Sequence, residues 1–223
     1  MIDRCTLGID LHTAAVHRYN LPQVRIASGS PYLTELAMAF APPIIIESPL
    51  RPGSMRALAE DRETPMLLLE AGEALRFDRY AINVGVSGVL RVLAHIGMIE
   101  LDDGLAAVKV PTRANRSSWV RAPRGGVSRR VRKSGDVVRQ GDMLAVVGGL
   151  FGEDAQELVS PVDGVIIGHA TLPVVNQGDA LFHIAEVETL EGVGHGARSI
   201  ADALAVSEPP HPPTTLLDED EVL

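Results

Sequence analysis

Apolar runs that close on an ionisable residue set the pattern of the first part of the chain. T-L-G-I-D-L at 6–11 leads into His12, and P-M-L-L-L at 65–69 leads into Glu70. Runs of this length, bounded by turn signals, read as buried strands, and ligands of open α/β sheets gather at the carboxyl ends of such strands. Helical spacing appears between and after them. Leu33, Leu36, Ala37 and Phe40 mark a helix over Pro31–Phe40; a short β-rich run follows at Pro43–Glu47, and Gly53–Arg62 reads as a second helix. Asp78 is a suitable cap for a longer helix with Ile82, Val89, Leu93 and Ile96 on one face and Gly97 near its stop. Asn20-Leu21-Pro22 reads as a turn, with His17 and Arg18 in the loop before it. Strand and helix in alternation predict a parallel or mixed α/β sheet.

Beyond a connector at Leu101–Pro111 the pattern changes to short β-rich runs broken by Gly-Asp pairs. V-V-R-Q-G-D-M-L at 137–144 recurs as V-V-N-Q-G-D-A-L at 174–181, and A-P-R-G-G-V at 122–127 is echoed by S-P-V-D-G-V at 160–165. Two such half-units resemble the biotinyl/lipoyl-like barrel-sandwich module. The segment between them, 148–159, contains no lysine, which argues against a swinging arm. The expected division is an α/β part at 1–104, a small all-β part at 105–187 and an acidic, Pro-rich, mostly disordered tail at 188–223.

Composition narrows the partners. Only 4% of residues are aromatic, so packing rests on Val, Ile, Leu and Ala. The single Cys5 rules out an internal disulfide, fits a reducing compartment, and is expected to be a small buried strand residue beside Leu7 and Ile9. No apolar stretch approaches the ~20 residues of a membrane helix. The expectation is a cytoplasmic protein with no membrane partner. Most of the net charge of −9 comes from residues 186–223, which hold nine acids against Arg198 alone. The basic run from Arg113 to Arg139 carries only Trp119 as a stacking residue, so it reads as a solvated face and not as a nucleic-acid site.

Three segments carry a family resemblance: D-L-H-T at 10–13, the T-A-A-V-H-R-Y-N-L-P that continues from it, and L-L-L-E-A-G-E-A-L-R-F-D at 67–78. They resemble the later part of the succinylglutamate desuccinylase/aspartoacylase family, a branch of the zinc carboxypeptidase-like hydrolases. The resemblance implies a zinc-dependent amidohydrolase or deacylase acting on an N-acyl amino acid or similar small molecule. It makes His12 a zinc ligand and Glu70 the catalytic carboxylate. The family's H-x-x-E and N-R motifs lie upstream of D-L-H and have no counterpart before His12. The chain is therefore expected to be N-terminally incomplete relative to the family, and inactive alone unless a companion chain or a homo-oligomer completes it.

The chemistry of the individual residues fits these roles. Zinc takes imidazole and carboxylate ligands, and the water it binds becomes a usable nucleophile near neutral pH. A nearby carboxylate such as Glu70 can take that water's proton and return it to the leaving amine. Asp10 is the natural partner to orient His12. His17, Arg18 and Glu73 are candidate substrate-binding groups near the mouth, Arg18 through a bidentate contact to a carboxylate and Glu73 alternatively as a turn cap. A reading from another class is a non-catalytic binding or scaffold remnant of the same fold.

Overall fold

The computed structural model describes residues 2–101, 110–187 and 190. Apart from residue 190, the expected acidic tail lies outside them. After a single 3-10 turn, the α/β part runs β1 (Gly8–Ala14), β2 (Arg18–Ile26), α1 (Pro31–Phe40), β3 (Ile44–Glu47), α2 (Met55–Asp61), β4 (Met66–Glu73) and α3 (Arg79–His95). The capping chemistry is local. Ser30, Ser54 and Asp78 each accept a hydrogen bond from the backbone N–H three residues on, satisfying a donor that the first helical turn leaves free.

Nine strands form the larger sheet among the described residues, and the sheet is mixed. β1 pairs parallel with β4, β4 antiparallel with β2, and β2 parallel with β3. Odd-numbered apolar side chains of β1 and β4, among them Ile9, Leu67 and Leu69, face α1 and α3 and pack with Leu36, Phe40 and Val92. Burying side chains of this size stabilises by roughly 1.5–3 kcal/mol each. The opposite face of the same strands carries Asp10, His12 and Glu70.

The later part is all β: β5 (Thr112–Ala114), β6 (Ser117–Arg121), β7 (Gly126–Arg130), β8 (Val137–Val138), β9 (Met143–Gly148), β10 (Gln156–Val159), β11 (Gly164–Ala170), β12 (Val174–Val175) and β13 (Ala180–Glu186). β7, β9, β10 and β12 make a separate antiparallel sheet, and Val147, Leu144, Ile166 and Phe182 share one core between the two sheets. The sequence repeat is also a structural one. Gly141 and Gly178 take positive φ of 89° and 85°, and Asp142 and Asp179 accept from the backbone N–H of Arg139 and Asn176, so the same turn is built twice.

The division expected near residue 104 is crossed by a continuous ladder. β11 pairs antiparallel with β2, and Leu21, Ile44 and Ile46 pack against Val165, Ile167 and Ala185.

Three local expectations are corrected. Asn20-Leu21-Pro22 is not a turn but lies inside β2, and Arg18 begins that strand instead of sitting in a loop. Cys5 is exposed, because β1 starts only at Gly8. The buried stripe of α3 is Gly85, Gly88 and Val92; the predicted Val89 and Ile96 pack partly buried against the same core, while Ile82 is 47% exposed. The glycines let α3 approach closely: a Cβ on Gly88 would overlap the ring of the fully buried Phe40. Gly88→Val is expected to cost about 2 kcal/mol or more through overpacking, despite the better helix propensity of valine. A urea midpoint unchanged from the parent would show that α1 and α3 do not meet there.

Candidate functional site

The β1–β4 ladder pairs Asp10 with Leu68 and His12 with Glu70 in register. Parallel partners in register point to the same face, so the imidazole and the carboxylate are neighbours at the carboxyl end of β1. Asp10, two residues before His12 and on the same face, touches it: Asp10 Oδ1 lies 3.0 Å from His12 Nε2. The His12 side chain is 53% exposed, Asp10 24% and Glu70 25%. Solvent thus reaches the histidine more freely than either acid.

Glu70 is the better anchored group. Asn20 Nδ2 donates to its Oε2 at 3.0 Å and Gln23 Nε2 at 3.5 Å, while Arg25 Nε stands 3.2 Å from Oε1 as an ion pair too poorly aligned for a hydrogen bond. A carboxylate fixed this way keeps its orientation. Sequence reasoning missed all three partners, because reading a turn at 20–22 hid the strand that presents them.

A second feature escaped ranking from sequence. Arg56, in the first turn of α2, is 8% exposed; its Nη2 reaches Ser48 Oγ at 3.5 Å and its Nη1 has no hydrogen-bond partner. Burial pushes its guanidinium below the usual arginine range, as do Arg25 and Arg51, and Glu70 opposes them. One carboxylate therefore sits among several guanidinium groups. The O atom of the buried Gln23 amide is likewise unpaired.

The other proposed substrate residues separate. Glu73 Oε1 accepts from His17 N at 3.0 Å and from Thr171 Oγ1 at 3.4 Å, and His17 sits at φ 63° in the β1–β2 turn. These two build the turn and tie it to the β11–β12 loop. Arg18 lies over the Trp119 ring, 5.0 Å from its centre.

The all-β part extends the same face. The register runs Gly72, Asn20, Gly168, His183, Trp119 across β4, β2, β11, β13 and β6. Trp119 is thus about 14 Å from Asn20, three strand spacings away. Gly168 is needed in this row, since a Cβ there would come 2.7 Å from Asn20 Oδ1. Trp119 stacks on His183 with ring centres 4.1 Å apart, and His183 Nε2 meets Ser117 Oγ at 2.9 Å. Beside this row a groove of about 370 Å³ runs between Ser48-Pro49 and Asn115–Ser118. His183 and Glu186 have the H-x-x-E spacing, but on a strand residues three apart face opposite ways. Accordingly His183 meets Ser117, while Glu186 accepts from Ser118 and pairs with Arg116.

Among the described residues no group of three or more His, Cys, Asp or Glu side chains is placed to hold a metal ion. A catalytic zinc usually has three protein ligands. One imidazole and one adjoining carboxylate fall short of that set.

The family model for the succinylglutamate desuccinylase/aspartoacylase catalytic domain matches residues 1–96. Over this stretch the chain resembles that family's catalytic domain. Solved structures share the fold across both parts of the chain. The ectoine utilization protein EutE (DoeB) of Ruegeria pomeroyi is 17% identical with a TM-score of 0.74, covering 83% of this chain and 62% of its own. A succinylglutamate desuccinylase/aspartoacylase of Rhodobacter sphaeroides is 24% identical with a TM-score of 0.71, covering 84% and 60%. The chain therefore spans about three-fifths of the length of these relatives. No curated protein matches the sequence. No helix among the described residues is long and apolar enough to cross a membrane.

Burial, with Arg25, Arg18 and Arg51 adding to it, pushes the His183 imidazole down to about 3. In the unfolded chain a histidine titrates near 6.5, so between about pH 6.5 and 3 the unfolded state binds the extra proton. Stability is expected to fall as pH drops through that window, by up to about 1.4 kcal/mol per unit. Urea unfolding from pH 7 to 4 reads this, and His183→Asn should flatten the slope. A His183 ring that titrates near 6.5 in the folded protein, seen by NMR, would contradict it.

Proposed function

We propose that the chain provides the proton-transfer half of a hydrolytic centre of the succinylglutamate desuccinylase/aspartoacylase type, one that cleaves the amide of an N-acyl amino acid or a similar small molecule. The observation that carries this reading is the in-register pairing of His12 with Glu70 on one open sheet face, within a segment that matches the family's catalytic domain.

In this reading Glu70 is the general acid/base. Its carboxylate takes a proton from the attacking water and delivers it to the leaving amine, and Asn20 and Gln23 hold it in place by donating to Oε2. His12, with Asp10 against its ring, would serve as one ligand of a zinc ion. When bound, such an ion activates water and stabilises the tetrahedral oxyanion. Its remaining ligands would have to come from outside the described residues.

Arg56 takes an anionic group of the substrate, because its buried Nη1 is unpaired and its charge interacts with that of Glu70. Arg18, held by Trp119, is a weaker contributor to the same role, and His17 and Glu73 act by fixing the turn at the mouth. We further read residues 105–187 as a biotinyl/lipoyl-like barrel-sandwich module that walls one side of the site, 1–104 as the hydrolase part and 188–223 as a tail. The setting is a soluble, cytoplasmic one.

Glu70→Gln is expected to keep the fold and to lower kcat by roughly 10²–10⁴-fold in the zinc-loaded, complete enzyme, with little change in KM. Arg56→Met should instead raise KM. Hydrolysis of N-acyl amino acids that survives Glu70→Gln undiminished would remove the carboxylate from the reaction. A complete assembly that binds no zinc and hydrolyses none of these amides would favour a non-catalytic scaffold.

A further inference from the structure

Arg130, at the end of β7, is a partly dehydrated cation without a counter-charge. Arg113, Arg116, Arg124 and Arg132 of the all-β part each stand within ion-pair reach of a carboxylate. Arg130 meets only a carbonyl: its Nη1 donates to Ala170 O at 3.3 Å, and no carboxylate pairs with it among the described residues. The residue as a whole is exposed, yet lost hydration still pulls its guanidinium below the usual arginine range.

A cavity of about 200 Å³ opens beside it. Ser128 and Arg130 are two apart on β7 and so share a face of that strand, and both line the cavity. Leu172 and Pro173, from the loop between β11 and β12, and the buried Leu181 and Phe182 of β13 give it an apolar lining. Its volume is below the roughly 300–1,000 Å³ of sites for drug-sized ligands, so its occupant is small. A guanidinium grips a carboxylate through two parallel hydrogen bonds, and an apolar wall takes an alkyl chain.

We propose that this cavity is a binding site for a short-chain aliphatic carboxylate of about three to five carbons, its carboxylate held by Arg130 and Ser128 and its chain against Leu172, Pro173 and Leu181. The loop that lines the site also holds the turn at the mouth of the face that carries His12 and Glu70. On one side Ser128 N donates to Pro173 O at 2.8 Å and Arg130 to Ala170 O. On the other, Thr171 N donates to His17 O at 2.9 Å and Thr171 Oγ1 to Glu73 Oε1 at 3.4 Å. An occupant that steadies residues 170–173 therefore steadies the β1–β2 turn as well. Neither the site nor its link to the turn depends on the hydrolytic reading above.

The test titrates the full chain with sodium butyrate at constant ionic strength and follows the backbone amides by NMR. The expected result is saturable binding at about 10 mM or below, read as shifts at Ser128, Arg130, Thr171 and Leu172. Hydrogen exchange of the His17 amide should slow by about threefold or more on saturation. Butyramide, of the same shape but uncharged, and inorganic phosphate, charged but without a chain, should each bind those residues about tenfold more weakly. Arg130→Met should weaken butyrate about tenfold or more with circular dichroism unchanged. Arg56→Met, which removes the anion site of the hydrolytic reading, should leave the shifts at these four residues as they are. No saturation at these amides, equal binding of butyramide or phosphate, or an affinity indifferent to Arg130→Met overturns the site. Saturation there with His17 exchanging as before overturns the link to the turn. Shifts confined to the neighbours of Arg56 and Glu70 overturn the site while favouring the hydrolytic reading.

Discussion

The parallel register of β1 on β4 is the constraint from which the site follows. Ile9, Leu67 and Leu69 must face the helices to be buried, and the alternation of a strand then forces Asp10, His12 and Glu70 onto the other side. A slip of one residue in either strand would put charge into the core and leucine into solvent. The hydrophobic effect, acting on residues with no chemistry of their own, thus fixes which polar groups meet.

β2 does the second half of this positioning through an irregularity. Asn20 and Gln23 are three apart and would point to opposite faces of a regular strand, yet both donate to Glu70 Oε2. The β2–β4 register shifts between those two residues, and the shift turns both side chains toward one carboxylate. Pro22 sits inside the irregular stretch, where a missing ladder donor costs least. β2 then pairs with β11, so the distortion that serves Glu70 also joins the α/β part to the all-β part.

What was legible in the sequence is what depends on local pattern. The span of α1, the cap at Asp78, the short β-rich run before Glu47 and the repeated Gly-Asp turns were all readable, because periodicity and turn chemistry act over a few residues. β2 was not, since Asn-Leu-Pro-Gln imitates a turn and only the neighbouring strands make it a strand. The face of α3 was read only in part: Val89 and Ile96 pack against the core, but glycines score as neither apolar nor buried, and Gly85 and Gly88 make the closest helix contacts. The pair His12 and Glu70 stood out by resemblance, whereas Asn20 and Gln23 became visible only as neighbours in space and Arg56 could be singled out only there.

The charge balance around Glu70 explains why Arg56 is costly to the chain that carries it. Arg56 is almost wholly buried with one terminal nitrogen unpaired, and Arg25 and Arg51 push its guanidinium in the same direction as burial does. Glu70 is a single carboxylate, and Asn20 and Gln23 already occupy one of its oxygens, so it cannot satisfy several guanidinium groups at once. A buried cation left without a full complement of acceptors destabilises the fold. An anion arriving at Arg56 would supply the missing acceptor, so part of its binding free energy would come from satisfying a buried donor.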